Sequence, residues 1–248
     1  MLTENAQQYL GKIAGGEGCP LAQTDPEFYQ IICNFAFDEV INEHPLPDRT
    51  RHLAILAALI GCQGGEAFAF EVSAALRCGV TAVEIREVVY QSVAYLGVGR
   101  ALPFINIANK QFAAAGISLP LQECGTVEYN NRVSDGENTQ VRIFGDGMRG
   151  FSQRGGQTQH ISRWLSGNCF GDYYTRKGLS DGDREMITFC FLAAQGGCEL
   201  QLTSHAAANM RIGNDKRFLI SVVSQCLPYI GYPRSLNALA CVEKAANG

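Results

Sequence analysis

The chain has 248 residues, 46% hydrophobic and 18% charged, and 20 Lys+Arg against 24 Asp+Glu leave a net charge of -4. That length supports one or two domains with a true core, the low charge density argues against self-repelling disorder, and the lack of a basic run argues against a nucleic-acid partner held through its phosphates. The longest apolar stretches, Leu53 to Cys62 and Met186 to Ala194, fall short of the ~20 residues of a membrane span, and Met1–Tyr9 has no apolar leader core, so a soluble, cytoplasmic protein is expected.

In chain order, residues 1–24 read as an N-terminal segment. Pro47-Asp48 opens a helix that continues through Leu53 to Gly61 and breaks at Gly64-Gly65. A second helix, Glu66 to Leu76, stops at Cys78-Gly79, a C-terminal glycine signal. Thr81-Ala-Val-Glu84 has the form of a capping box and starts a third helix that runs to Tyr95 and halts at Gly97; a fourth follows from Ala101 to Ala115. Residues 116–157, rich in Gly, Asn, Asp and Ser, read as a linker with a short helix near Val141 to Met148. It contains Gly145-Asp-Gly-Met-Arg-Gly150, a G-x-G-x-x-G pattern. No β-α-β alternation surrounds it, so a nucleotide loop is disfavoured. Beyond it, Ser180-Asp-Gly-Asp183, Gly196-Gly197, Gly213-Asn-Asp215 and Pro233 again mark helix starts and stops. Alternating strand patterns are scarce, and the expected class is all-α.

The second set of signals repeats the first. A shift of 134 pairs Asn34 with Asn168, Asp38 with Asp172, Arg77 with Arg211, Gln91 with Gln225, Tyr95 with Tyr229 and Leu102 with Leu236; a shift of 133 pairs Asp48 with Asp181, Arg51 with Arg184 and Glu66 with Glu199. The chain is therefore a duplicated helical unit, with repeats at 25–115 and 158–247. Leu53–Ile60 and Met186–Ala194 are apolar on nearly every face, so both must be buried all round. The two copies are expected to pack together, and whole chains to self-associate.

Ten cysteines occur without any C-x-x-C pair. A disulfide framework or zinc site is not expected, and at least eight of the ten read as packed thiols. The remaining chemistry gathers in the second copy. Cys198 and His205 are seven residues apart, two turns along one face of a helix, with Cys198 in the first turn, where the helix dipole favours a thiolate. Glu185 opens the preceding helix and could reach the imidazole if the two pack antiparallel, fixing its tautomer. The first copy is read as lacking these residues, since His52, Gly65 and Glu71 align with Glu185, Cys198 and His205. A lone helical histidine is often structural and Cys198 could simply be packed. Residues common to both copies, such as Arg77/Arg211 and Tyr95/Tyr229, are assigned to the shared fold.

On Arg163-Trp-Leu-Ser-Gly-Asn-Cys-Phe-Gly-Asp-Tyr-Tyr174, Leu179–Glu185, Gly196-Gly-Cys-Glu199, His205, Gly213-Asn-Asp215 and Tyr229-Ile-Gly-Tyr-Pro233, the chain resembles the carboxymuconolactone decarboxylase family, which includes the alkylhydroperoxidase D proteins. The resemblance implies an all-α fold and a ring-shaped oligomer, a homotrimer for a two-repeat chain. Its decarboxylase branch implies an enzyme acting on a small organic acid or lactone, with His205 donating a proton, Glu185 orienting it, Cys198 assisting, and no redox cofactor or metal required. Arg163, Arg184 and Arg211 are candidates to meet an anionic substrate, the last two being shared with the first copy; Trp164 could line or fill a pocket. The alkylhydroperoxidase branch instead implies thiol peroxidase chemistry at Cys198. There the second cysteine position is Gln201, so Cys190 or Cys62 would have to lie close enough to resolve. A non-catalytic oligomeric binding protein is the third reading.

Overall fold

A computed structural model describes residues 1–16 and 19–248. Helix α1 (Glu4–Ala14) is followed, after a helical turn at Leu21–Thr24, by α2 (Pro26–Asn34), which runs through a π-helical turn (Phe35–Glu39) into Val40–Glu43. The first repeat continues with α3 (Asp48–Gly61), α4 (Gly65–Arg77), α5 (Ala82–Leu96) and α6 (Val98–Ala114). Next come α7 (Arg132–Phe144) and α8 (Gln159–Trp164), which passes into a π-helical segment, Leu165–Tyr173. The second repeat is completed by α9 (Asp181–Gln195), α10 (Glu199–Arg211), α11 (Lys216–Ile230) and α12 (Tyr232–Ala246). No strand is present among the described residues, and none of their helices is long and apolar enough to cross a membrane.

Local chemistry sets these boundaries. Thr81 and Ser180 each accept from the backbone N–H three residues on, while Glu84 and Asp183 bond back, two complete capping boxes. Asp215 caps α11 more simply, accepting from the Phe218 N–H with no return bond. Gly97, Gly196 and Gly231 end their helices at positive φ, which a glycine adopts without a Cβ penalty.

The centre is the crossing of α3 and α9. Every residue from Arg51 to Gly61 and from Arg184 to Ala194 is buried, as their all-round apolar sequences require. The helices lie tight at Gly61, where an added Cβ would stand 2.7 Å from Ala194 Cβ and 2.9 Å from the Phe191 carbonyl. The polar ends of the crossing interlock reciprocally. Arg51 donates to Gln225 Oε1 and Arg184 to Gln91 Oε1, both at 2.8 Å, so each repeat's arginine holds the other repeat's glutamine. Arg49 adds a bidentate bridge to Asp183 across the same seam, at 2.9 and 3.0 Å.

The repeat reaches further than its sequence signature. Helices α1 and α7 occupy equivalent places, each laid across its repeat's π-helical turn and second long helix. Lys12 pairs with Asp48 as Arg142 pairs with Asp181, and Arg77 and Arg211 stand against Gly15 and Gly145 at the C-terminal ends of α1 and α7. The helix expected near Val141 to Met148 is in fact α7, which starts at Arg132 and stops at Phe144. The G-x-G-x-x-G segment begins at its C-terminal Gly145 and continues in short 3-10 turns, outside any strand–helix setting. All ten cysteines are free; six are buried and four half-buried, so fewer are sealed than the sequence suggests.

Candidate functional site

Helices α9 and α10 bring Glu185 and His205 together. His205 Nδ1 lies 2.7 Å from Glu185 Oε2, with Glu185 fully buried. Asn209, one turn beyond His205, ties the two backbones by donating to the carbonyls of Glu185 (3.0 Å) and His205 (2.8 Å), and Asn214 in turn donates to Asn209 Oδ1. The second carboxylate oxygen, Glu185 Oε1, receives the Tyr174 hydroxyl at 2.7 Å. Tyr174 also contacts Thr188 Oγ1 (3.0 Å) and the Tyr95 hydroxyl (2.9 Å), and the Cys169 thiol reaches Tyr95 at 3.6 Å. Burial pushes both phenols well above their ordinary range and the Cys169 thiol up to about 12, so all three stay protonated at neutral pH.

The imidazole sits between two aromatic rings that meet it edge-on, Tyr95 at 5.4 Å and Phe144 at 5.3 Å between centroids. Tyr95 comes from the first repeat, which therefore contributes directly to the site; its assignment to the shared fold alone is too narrow. Phe144 is the last residue of α7 and also lines an open groove of about 570 Å³ with Ser204, Ala208, Met210 and the exposed Arg211. His205 itself does not line the groove; it keeps 8% exposure and touches the groove wall through Phe144.

Cys198 does not join this group. It precedes the first residue of α10, at the N-cap in non-helical backbone (φ -141, ψ 41), rather than standing in its first turn. Its sulfur contacts Gln195 Nε2 and the Leu192 carbonyl, both at 3.4 Å, and burial raises the thiol pKa despite the Gln195 contact. Neither proposed resolving thiol is bonded to it: Cys190 faces Cys226 at 4.0 Å, and Cys62 faces the carbonyls of Leu59 and Tyr229. Arg163 is exposed on α8, and Trp164, 52% exposed, packs on His160 at 5.0 Å. Arg184 is buried in the inter-repeat lock, with further bonds to Glu87 and the Arg176 carbonyl.

The first repeat holds a pair after all, with its members exchanged. His52 on α3 stands where Glu185 stands on α9, Glu71 on α4 where His205 stands on α10, and His52 Nδ1 meets Glu71 Oε1 at 2.6 Å. This pair is closed: His52 has 0% and Glu71 2% exposure, and His52 Nε2 is buried without a partner. Among the described residues no cluster of three His, Cys, Asp or Glu side chains is arranged to hold a metal ion.

The family model for the carboxymuconolactone decarboxylase family matches residues 26–110 and 160–244, both repeats and well over half of the chain. The chain belongs to the carboxymuconolactone decarboxylase family. Its fold is also that of a solved structure from Burkholderia xenovorans LB400, described as a candidate gamma-carboxymuconolactone decarboxylase subunit; the two share 20% identity, with a TM-score of 0.58 over 98% of this chain and 96% of that one. No curated protein matches the chain in sequence. Glu185, Tyr174 and His205 fall inside the second family segment and Tyr95 inside the first, whereas α7 and Phe144 lie between them. The sequence reading missed Tyr174, Tyr95 and Phe144. It also missed the His52–Glu71 pair, for which the signal was within reach: the alignment of the repeats sets an acid against an imidazole at both positions.

Proposed function

We propose that this member of the carboxymuconolactone decarboxylase family is an enzyme that acts on a small organic acid or lactone by proton transfer at His205, without a redox cofactor. The observation that carries this is the 2.7 Å Glu185–His205 contact, buried on the carboxylate side and open to a sliver of surface on the imidazole side. A carboxylate on one ring nitrogen orients the ring and stabilises the imidazolium that forms during proton exchange at the other. The groove on the far side of Phe144, which packs on the imidazole, has apolar walls and a guanidinium, Arg211, suited to a carboxylate-bearing substrate. Loss of CO2 from an unsaturated carboxylactone leaves its electron pair delocalised into the lactone as an enolate; a proton then completes the product. The protein's tasks are to hold the anion and exchange that proton.

The test is turnover of gamma-carboxymuconolactone and related unsaturated lactone acids by the wild type and by His205→Ala. A positioned acid–base group contributes about 10²–10⁴-fold, and a loss of that order is expected; unchanged turnover of every accepted substrate would overturn the assignment. The thiol peroxidase reading lacks comparable support, because the Cys198 sulfur is bonded elsewhere and Gln201 replaces a nearby partner thiol. The binding-protein reading would be favoured by an unpaired His205 and Glu185, which are paired.

Self-association, as a trimer of two-repeat chains, belongs to the same proposal. Val98 and Leu102 at the start of α6, and Tyr232 and Leu236 at the equivalent places on α12, are exposed apolar side chains. Such paired patches suit contact between copies.

A further inference from the structure

The hydrogen bonds behind Glu185 have a definite direction, because the chain starts from a group that can only donate. Arg184 Nη1 gives a proton to Gln91 Oε1 (2.8 Å), which fixes the Gln91 amide and aims its Nε2 at the Arg184 carbonyl (2.9 Å) and at Thr188 Oγ1 (2.8 Å). Thr188, already accepting, turns its own proton to the Tyr174 oxygen (3.0 Å). Tyr95 accepts from the Cys169 thiol and donates to the same oxygen (2.9 Å). Tyr174 has one proton, and its shortest bond is to Glu185 Oε1 (2.7 Å). Every donor therefore converges on Glu185 Oε1, the arrangement of a carboxylate that accepts at both oxygens. The proton between Glu185 Oε2 and His205 then resides on Nδ1, leaving Nε2 with its lone pair turned away from the carboxylate.

The first repeat supplies a built-in comparison. The arginine–glutamine lock recurs there as Arg51–Gln225, but Gln225 Nε2 donates to the carbonyls of Val40 (3.0 Å) and His44 (2.8 Å). Val40 and Ile55 stand where the second repeat has Tyr174 and Thr188. The relay ends on backbone and does not reach the His52–Glu71 pair, whose second nitrogen is left unpartnered.

We infer that Tyr174 is a positioning residue: its hydroxyl, fed by Thr188 and Tyr95, sets His205 as the Nδ1–H tautomer with a proton-accepting Nε2 facing outward. The site at rest is thus a base, and it becomes an acid only after taking a proton from substrate or water. This rests on His205 as the proton-transfer group, but the tautomer is read without substrate, so its failure is separable from a failed His205→Ala turnover test. Long-range nitrogen-15/proton correlation spectra of the full chain, at a pH where the imidazole is neutral, should show His205 as the Nδ1–H form. In Tyr174→Phe the Nε2–H form should become populated while His52 signals hold, and kcat should fall at least tenfold with KM changed less than twofold. Thr188→Val, which removes one donor to Tyr174 and keeps the shape, should move the tautomer less and in the same sense; it carries the test if Tyr174→Phe fails to fold. A wild-type Nε2–H tautomer, or a tautomer unchanged in the variant that folds, overturns the inference.

Discussion

His52 and Glu185 occupy equivalent places on the two central helices yet are opposite members of the same acid–imidazole pair. One pair is sealed and the other reaches the surface, so the two should respond to mutation differently. His52→Leu leaves Glu71 buried without its partner and should cost about 3–5 kcal/mol, whereas the double change to Leu at positions 52 and 71 should recover most of that. Denaturant melts of the single and double variants check this; equal losses in both would contradict it.

Gly61 on α3 packs tightly against Phe191 and Ala194 of α9. A methyl group there meets Ala194 and a backbone carbonyl, neither of which can swing aside. Gly61→Ala should therefore destabilise by about 1–3 kcal/mol, the usual effect of overpacking a close-packed core. A thermal melt is sufficient, and an unchanged midpoint would show that the helices separate freely.

Across the same seam, Asp183 is partly desolvated, which raises its pKa, but its bonds to Arg49 and Ser180 prevail and leave it below the ordinary carboxylate value of 3.8. A lowered folded-state pKa means stability that is complete above about pH 3.8 and lost as the pH falls below it through the folded value. Arg49→Met should lower stability at neutral pH and flatten its decline in acid. Parallel declines of wild type and variant below pH 4 would count against this bridge.

Burial raises the Cys198 pKa, so its thiolate is scarcer at neutral pH than that of a free cysteine. Iodoacetamide should label it slowly near pH 7 and faster as the pH rises, and Cys198→Ser should leave lactone turnover within about twofold. Fast labelling at neutral pH, with loss of peroxide consumption in the variant, would revive the thiol reading.

The exposed apolar side chains of α6 and α12 give a direct test of assembly. Light scattering after size exclusion should report a trimer for the wild type and smaller species for Leu102→Glu combined with Leu236→Glu. A monomeric wild type would remove these patches as interfaces.

The fold was largely written in short-range signals. The capping residues Thr81 and Ser180, the terminal glycines and the apolar central helices are local features, and spacing alone set Glu185 and His205 on neighbouring helices. Cys198 went astray by a fraction of a turn: placing the start of α10 at Glu199 rather than one residue earlier turns the sulfur toward Leu192 and Gln195. Tyr95 and Phe144 were illegible because they reach His205 only through tertiary packing, one from the other repeat and one from the end of a helix that the sequence marked only in part within a segment of linker composition. Tyr174 lay in plain view within a recognised motif, but its role depends on which neighbour takes its single proton, and that is a property of three-dimensional arrangement.

The reciprocal arginine–glutamine lock also bears on how the two halves came to differ. Two identical subunits joined by such a lock would carry every mutation twice, so exchanging acid for imidazole in one pocket would exchange it in both. Covalent tandem linkage lifts that constraint. One pocket can pass through a mismatched state, two acids or two imidazoles facing each other, while its neighbour keeps the working arrangement and the interface between them stays intact.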